Sequence, residues 1–139
     1  MDAMQISRTG LDVEWRRMEV IAANLANLNT TRTALGDAYR PLRLVSGPRA
    51  SFEAHLSAED AALGGVAVYG VEPQAVQPRR VHEPGHPHAD AEGFVTYPGL
   101  DHAGEMTLLV QTARAYEANL VALGAGRQMY AKALEIGRR

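Results

Sequence analysis

The 139-residue sequence predicts an α+β fold in which long N- and C-terminal helices pair as a coiled-coil-like hairpin, with a small β-rich insert between them. Three observations predict it. Apolar residues recur every seven positions at both ends of the chain. Six of the seven prolines fall in residues 41–87, where they exclude a long helix. Within that stretch, apolar and polar residues alternate in short runs bounded by Gly and Pro, as strands do. The division that follows is an N-terminal helical segment 1–33, an insert 34–100 and a C-terminal helical segment 101–139.

In the first segment Met4, Leu11, Met18 and Leu25 are seven apart, and Ile21 and Leu28 fill intermediate steps. Ile6, Val13 and Val20 form a second series on roughly the far side. A helix apolar on two faces requires two neighbours. It should end near Asn29-Thr30-Thr31, where residues that favour caps and turns follow one another. In the insert, strands are expected at Leu42–Leu44, at Phe52–Leu56, at Val66–Val71 after Gly64-Gly65, and at Phe94–Tyr97 after Gly93. Ser57–Asp60 reads equally as a capped helical turn or a solvated loop. The last helix should start between Asp101 and Gly104. Leu109, Tyr116, Leu123 and Tyr130 repeat along it, interleaved with Ala113, Leu120 and Leu134. A neighbouring stripe of Ala115, Ala118, Ala122, Ala125 and Met129 would let another backbone approach closely. Gly124 and Gly126 each cost about 1 kcal/mol relative to Ala in a helix interior, so they imply tight packing or a local bend.

Composition excludes several roles. A net charge of −2 offers no cationic field for nucleic acid. With no cysteine there is no disulfide framework, thiolate nucleophile or cysteine zinc site. No apolar run approaches the roughly 18 residues that span a bilayer, and the opening MDAMQISRTG lacks the apolar core of a secretory signal. Residues 81–105 carry five acids and no Lys or Arg, whereas 106–139 carry five bases and two acids. That distribution suits contacts between copies or neighbours.

His86, His88 and Asp90 spell H-x-H-x-D, a spacing that places zinc ligands on one side of an extended loop. Ala91 stands where a binuclear hydrolase would want a further His, and His55 and His102 have no supporting context. The segment is therefore read as a Pro-rich turn with exposed imidazoles, adventitious metal binding being the second reading and catalysis the last. Glu14, Glu19, Glu105 and Glu117 are assigned to solvated helix flanks. A phosphate-binding G-x-x-x-x-G-K-[ST] and a nucleophile elbow do not occur in the sequence. No catalytic residue, metal site or cofactor is expected. Asn24 and Asn27 face the same way on a helix; they either hydrogen-bond across an interface and fix its register or lie solvated at a fraying end.

The segment Ile21-Ala22-Ala23-Asn24-Leu25-Ala26-Asn27-Leu28-Asn29-Thr30-Thr31-Arg32-Thr33 resembles the N-terminal motif of the bacterial flagellar axial proteins, the rod, hook and hook-associated subunits. Ala113-Arg114-Ala115-Tyr116-Glu117-Ala118-Asn119 resembles the motif that closes those chains. Glu83-Pro84-Gly85-His86-Pro87, with Ala89–Val95 and Tyr97-Pro98, is similar to the short proximal-rod members. The resemblance implies a structural subunit of the basal-body rod, exported by the flagellar apparatus without a cleaved signal. It also implies terminal helices packed into the inner tube of a helical assembly and the insert outside. Its motif residues here are Asn24, Asn27, Asn29, Thr30, Thr31, Arg114, Tyr116, Glu117 and Asn119.

The function expected is a non-enzymatic subunit that assembles with copies of itself and homologous rod proteins and transmits torque. Its partners would include the export apparatus, but no nucleic acid, inserted membrane or small-molecule substrate. Leu11, Met18, Ile21, Leu25, Leu28, Leu109, Tyr116, Leu120, Leu123, Tyr130 and Leu134 are the predicted subunit-interface residues. An isolated subunit should have loose ends, because the second apolar face of each helix would stay wet. A cytoplasmic coiled-coil adaptor is the closer alternative, and a zinc-dependent hydrolase the more distant one.

Overall fold

The computed structural model describes residues 2–49 and 64–137. The expected strand at Phe52–Leu56 and the turn at Ser57–Asp60 lie outside them. The element order is α1 (Ala3–Ala26), β1 (Leu42–Pro48), β2 (Val66–Pro73), β3 (Arg79–His82), β4 (Phe94–Tyr97) and α2 (His102–Gly137). The hairpin of terminal helices with small antiparallel sheets between them is thus the predicted α+β architecture.

Helix α1 opens at Asp2, whose backbone N–H donates to the Gln5 side chain at 3.2 Å, the reach-back half of a capping box. It closes three residues before the predicted Asn29. Asn27 there turns its amide back onto the Ala23 carbonyl at 2.8 Å and accepts from the Thr30 hydroxyl at 3.0 Å, so the caps act one turn early. Helix α2 starts within the expected window, Asp101 Oδ1 accepting from the Ala103 N–H at 3.1 Å.

The two helices run antiparallel. Asn24 lies against Glu105 near one end, Trp15 and Tyr116 rings meet at 6.2 Å in the middle, and Met4 covers Gly126 at the other. Gly126 is therefore the tight contact that its presence in a helix implied, while Gly124 faces open space. At Gly10 a Cβ would stand 2.7 Å from Asn119 Oδ1, so the helices approach here because residue 10 has no side chain.

The second apolar face of α1 does not stay wet, contrary to expectation. The Val66 N–H donates to Thr9 Oγ1 at 3.1 Å, and Arg17 Nη2 donates to Ser46 Oγ at 2.8 Å. Val13, one turn from each, is buried between them. The β1–β2 hairpin of the same chain thus covers that face, and α1 is sandwiched between it and α2. The backbone that the alanine stripe of α2 would admit is not α1. Ala118, Ala122, Ala125 and Met129 are exposed and face away from α1.

Strands β1 and β2 pair antiparallel, with the register shifting between Val45 and Ser46. Gly70 lies opposite Val45 and Val68 opposite Ser46, so Tyr69 bulges out and its hydroxyl donates to the Pro48 carbonyl at 2.5 Å. Strand β3 went unpredicted because Arg79-Arg80-Val81-His82 holds a single aliphatic residue. It forms because β4 supplies the apolar partners: Arg80 lies 4.7 Å over the Phe94 ring and Arg79 5.4 Å over Tyr97. Val95, on β4, is fully buried.

Leu44 is 4% exposed and carries β1 onto the α1 face. Leu44→Ala should lower the unfolding free energy by about 2–5 kcal/mol, read by chemical denaturation of the full chain. A loss below about 1 kcal/mol would mean that β1 is not what covers α1.

Candidate functional site

Two surfaces of this fold carry its distinctive residues: a buried polar cluster where both helices meet the insert, and the side of α2 that nothing in the chain covers.

The cluster is built on Asn24, 1% exposed. Its Nδ2 donates to the Leu42 carbonyl at 2.8 Å and to Glu105 Oε2 at 3.2 Å. Its Oδ1 accepts from the Leu42 N–H at 2.9 Å and from the Tyr39 hydroxyl at 3.1 Å. All four hydrogen-bonding positions of the amide are occupied. Gln74 Nε2 closes the group, donating to the Leu42 carbonyl at 2.9 Å and to Glu105 Oε1 at 3.4 Å. Burial pushes the Tyr39 phenol above its ordinary pKa, and the charge of Glu105 adds to that rise.

Glu105 corrects a sequence reading. It was assigned to a solvated flank, yet it is 5% exposed. The reason is its place in the first turn of α2, opposite the last turn of α1, where the insert folds over both. The pattern of apolar residues holds no signal for a buried carboxylate. Only the pairing of the two helix ends reveals it. Asn24 takes the interface role of its two open readings, but it fixes the insert as well as the helix pair. Asn27 takes neither, serving as a local cap.

The remaining motif residues separate by task. Asn29 is exposed, Thr30 caps Asn27, and Thr31 Oγ1 is hydrogen-bonded to His88 Nδ1 at 2.7 Å, tying the end of α1 to the β3–β4 loop. Arg114 and Glu117 form an exposed ion pair at 3.3 Å. Tyr116 packs on Trp15, and Asn119 Nδ2 donates to the Ala115 carbonyl at 3.0 Å while its Oδ1 faces Gly10.

The predicted interface residues also divide. Ile21 is buried within the chain, and Leu11, Met18, Leu25, Leu28, Leu109, Tyr116 and Leu123 are half-buried. Leu120, Tyr130 and Leu134 are exposed. Beside them stand Val121, Met129 and Ile136, each more than two-thirds exposed. Because α1 begins opposite Gly126, residues Arg127–Gly137 extend past it by about 16 Å at 1.5 Å per residue.

In the H-x-H-x-D segment, Asp90 Oδ2 accepts from Arg80 Nη2 at 2.6 Å, and Asp90 Oδ1 accepts from the Glu92 and Phe94 N–H groups, each at 2.9 Å. His86 Nδ1 accepts from the His88 N–H at 3.1 Å. The carboxylate is committed to shaping the β3–β4 turn, in which Gly93 supplies a φ of +80°.

Comparison with known proteins agrees with this division of the chain. Residues 4–32, essentially α1 and its cap, match the family described as "Flagella basal body rod protein". Residues 91–136, from the β4 approach through α2, match "Flagellar basal body rod FlgEFG protein C-terminal". These define the chain as a flagellar basal-body rod protein, a structural subunit and not an enzyme. It is 33% identical over 138 residues to the flagellar basal-body rod protein FlgC of Escherichia coli, covering 99% of this chain and 98% of the relative. It is 35% identical over 145 residues to that of Bacillus subtilis, covering 98% and 97%. It is 33% identical over 138 residues to that of Salmonella typhimurium, covering 99% and 98%. The chain belongs to the FlgC family. Among the described residues, no helix is long and apolar enough to cross a membrane.

Asp90 yields a test of the turn. The Phe94 amide holds its carboxyl below the usual carboxylate range; burial opposes this, and Arg80 and the Glu92 amide reinforce it. A carboxyl so depressed contributes above its unfolded pKa and loses that contribution as pH falls through the lower folded value. Amide exchange at Phe94, measured against its intrinsic rate at each pH, should therefore stay slow to below the ordinary Asp range and then accelerate. In Asp90→Ala it should be fast throughout. Equal exchange in both proteins would rule out the turn role.

Proposed function

We propose that this subunit assembles through the exposed apolar side of its helical hairpin with copies of itself and with homologous rod subunits, forming a helical, torque-transmitting shaft. The reading places segments 1–33 and 101–139 in the inner tube and 34–100 on the outside. The observation that carries it is the set of large apolar side chains on α2 that nothing in the chain covers: Leu120 is 52% exposed, Val121 72%, Tyr130 61%, Leu134 56% and Ile136 77%. A monomer gains nothing by presenting such residues to water in sequence. Contacts made by different patches on each copy, if they do not close, grow as open helices. Leu11, Met18, Leu25, Leu28, Leu109, Tyr116 and Leu123 contribute their wet edges to the same surfaces. Delivery by the flagellar export apparatus completes the reading.

Leu120→Asp discriminates assembly from folding because the side chain is exposed. The variant should match the parent in circular dichroism and thermal midpoint, yet be absent from isolated basal bodies and abolish swimming. Its incorporation with normal motility would defeat the proposal. Leu25→Asp is the poorer test, since Leu25 is half-buried in the hairpin and its loss damages the fold first.

The same geometry revises the expectation of loose ends. In the isolated subunit, amide exchange should be slow in the middle of α1, which is covered on two sides, and fast over Arg127–Gly137. Slow exchange across that overhang in a proven monomer would contradict the need for neighbours.

A further inference from the structure

The heptad spacing that pairs α1 with α2 repeats, so apolar packing alone lets the antiparallel hairpin slide by one heptad, about 10.5 Å, and still set aliphatic side chains against one another. Two contacts break that degeneracy. At one, the amide of Asn24 on α1 donates to the carboxylate of Glu105 on α2 at 3.2 Å, both residues being more than nine-tenths buried. At the other, Asn119 Oδ1 on α2 occupies the space that a Cβ on residue 10 of α1 would need. Gly10 and Asn24 are fourteen residues apart, and so are Glu105 and Asn119. The two contacts therefore stand two heptads apart on both helices and are made or lost together.

We propose that Asn24–Glu105 and Gly10–Asn119 are register keys: positioning pairs that select one alignment of the hairpin and thereby set how far α2 overhangs α1. The polar key acts through the cost of error. A slide of one heptad sets Asn24 against Thr112 in one direction and against Pro98, before the helix begins, in the other. Either way the buried Asn24 amide and the buried Glu105 carboxylate lose their mutual bond, and Gln74 loses its contact with Glu105. The steric key acts through shape. Only residue 10 of α1 offers Asn119 a position without a side chain on that face, since α1 has no other glycine. One key draws its asparagine from the N-terminal motif and the other from the C-terminal motif, so each end of the chain reads the other. The inference concerns the alignment of the hairpin and stands whichever proteins cover it.

The absence of cysteine from the sequence makes disulfide trapping in the full chain a clean readout. Met4→Cys/Gly126→Cys reports the native alignment. Leu11→Cys/Gly126→Cys and Leu11→Cys/Thr112→Cys report the two one-heptad slides. In the otherwise unaltered chain, the native pair should form at least about tenfold more disulfide than either slid pair. Adding Asn24→Leu/Glu105→Leu, which keeps the seam apolar, should reduce that ratio about tenfold or more while far-UV circular dichroism stays helical. Glu105→Gln, which keeps an acceptor, should restore most of it. An undiminished ratio in the Leu/Leu background overturns the proposal. Should that background lose its helical signal, Gly10→Leu decides: a ratio reduced at least about threefold supports the keys, and an unchanged one overturns them.

Discussion

A helix with two apolar faces cannot be satisfied by one partner, and that constraint organises the molecule. Helix α1 gives one face to α2 and the other to β1–β2, with Val13 buried on the strand side and Ile21 buried at the edge of the helix seam. Covering both faces brings α2 and the insert to a common line along α1. Where the three converge, polar backbone at the start of β1 has to be satisfied away from water. Asn24 does this with a single side chain, meeting both the N–H and the C=O of Leu42 while it binds Glu105 and Tyr39. Among the described residues, no buried side-chain polar atom is left without a partner, so the junction is sealed without the penalty that buried polar groups otherwise bring.

The outcome is an asymmetric hairpin. Helix α1, 24 residues long, is enclosed along most of its length, whereas α2, with 36, is enclosed only over the part that faces α1. The small residues sort the same way. Gly10 and Gly126 lie in the hairpin seam, where the helices touch. Ala118, Ala122 and Ala125 lie outside it. Close backbone approach is therefore spent at two points within the chain, and a longer small-residue surface remains on the outside of α2.

Much of this was legible in the sequence. The seven-residue spacing of Met4, Leu11, Met18 and Leu25, and of Leu109, Tyr116, Leu123 and Tyr130, announces two helices and their pairing, because helical periodicity is a local property. The signals at 42–44, 66–71 and 94–97, short apolar runs between Gly and Pro boundaries, lie within the strands at 42–48, 66–73 and 94–97. What escaped depends on partners distant in the chain. Arg79-Arg80-Val81-His82 becomes a strand through the aromatic rings of β4. Glu105 becomes buried through Asn24, 81 positions away. The cover on the second face of α1 comes from a hairpin that docks through Leu44 and through two polar contacts, the Val66 N–H to Thr9 and Arg17 to Ser46, and the polar contacts leave no mark in an apolar pattern. Of the predicted interface, residues inside the seam and outside it share one heptad series, so spacing alone could not divide Tyr116 and Leu123 from Tyr130.

The division matters for how such a surface works. Burying one large aliphatic or aromatic side chain contributes about 1.5–3 kcal/mol, and ordering the overhang of α2 consumes much of what its four large side chains return. A single contact between two copies is consequently weak. Weak contacts become strong when each subunit makes several at once, since after the first the rest form at high effective concentration. On the proposed assembly, a subunit built in this way would stay separate in dilute solution and be held firmly only where neighbours already stand in the right geometry. That would favour growth on an existing end over spontaneous association, and in such an assembly the length and direction of the overhang, set by the alignment of α1 with α2, would be the quantity the fold has to hold constant.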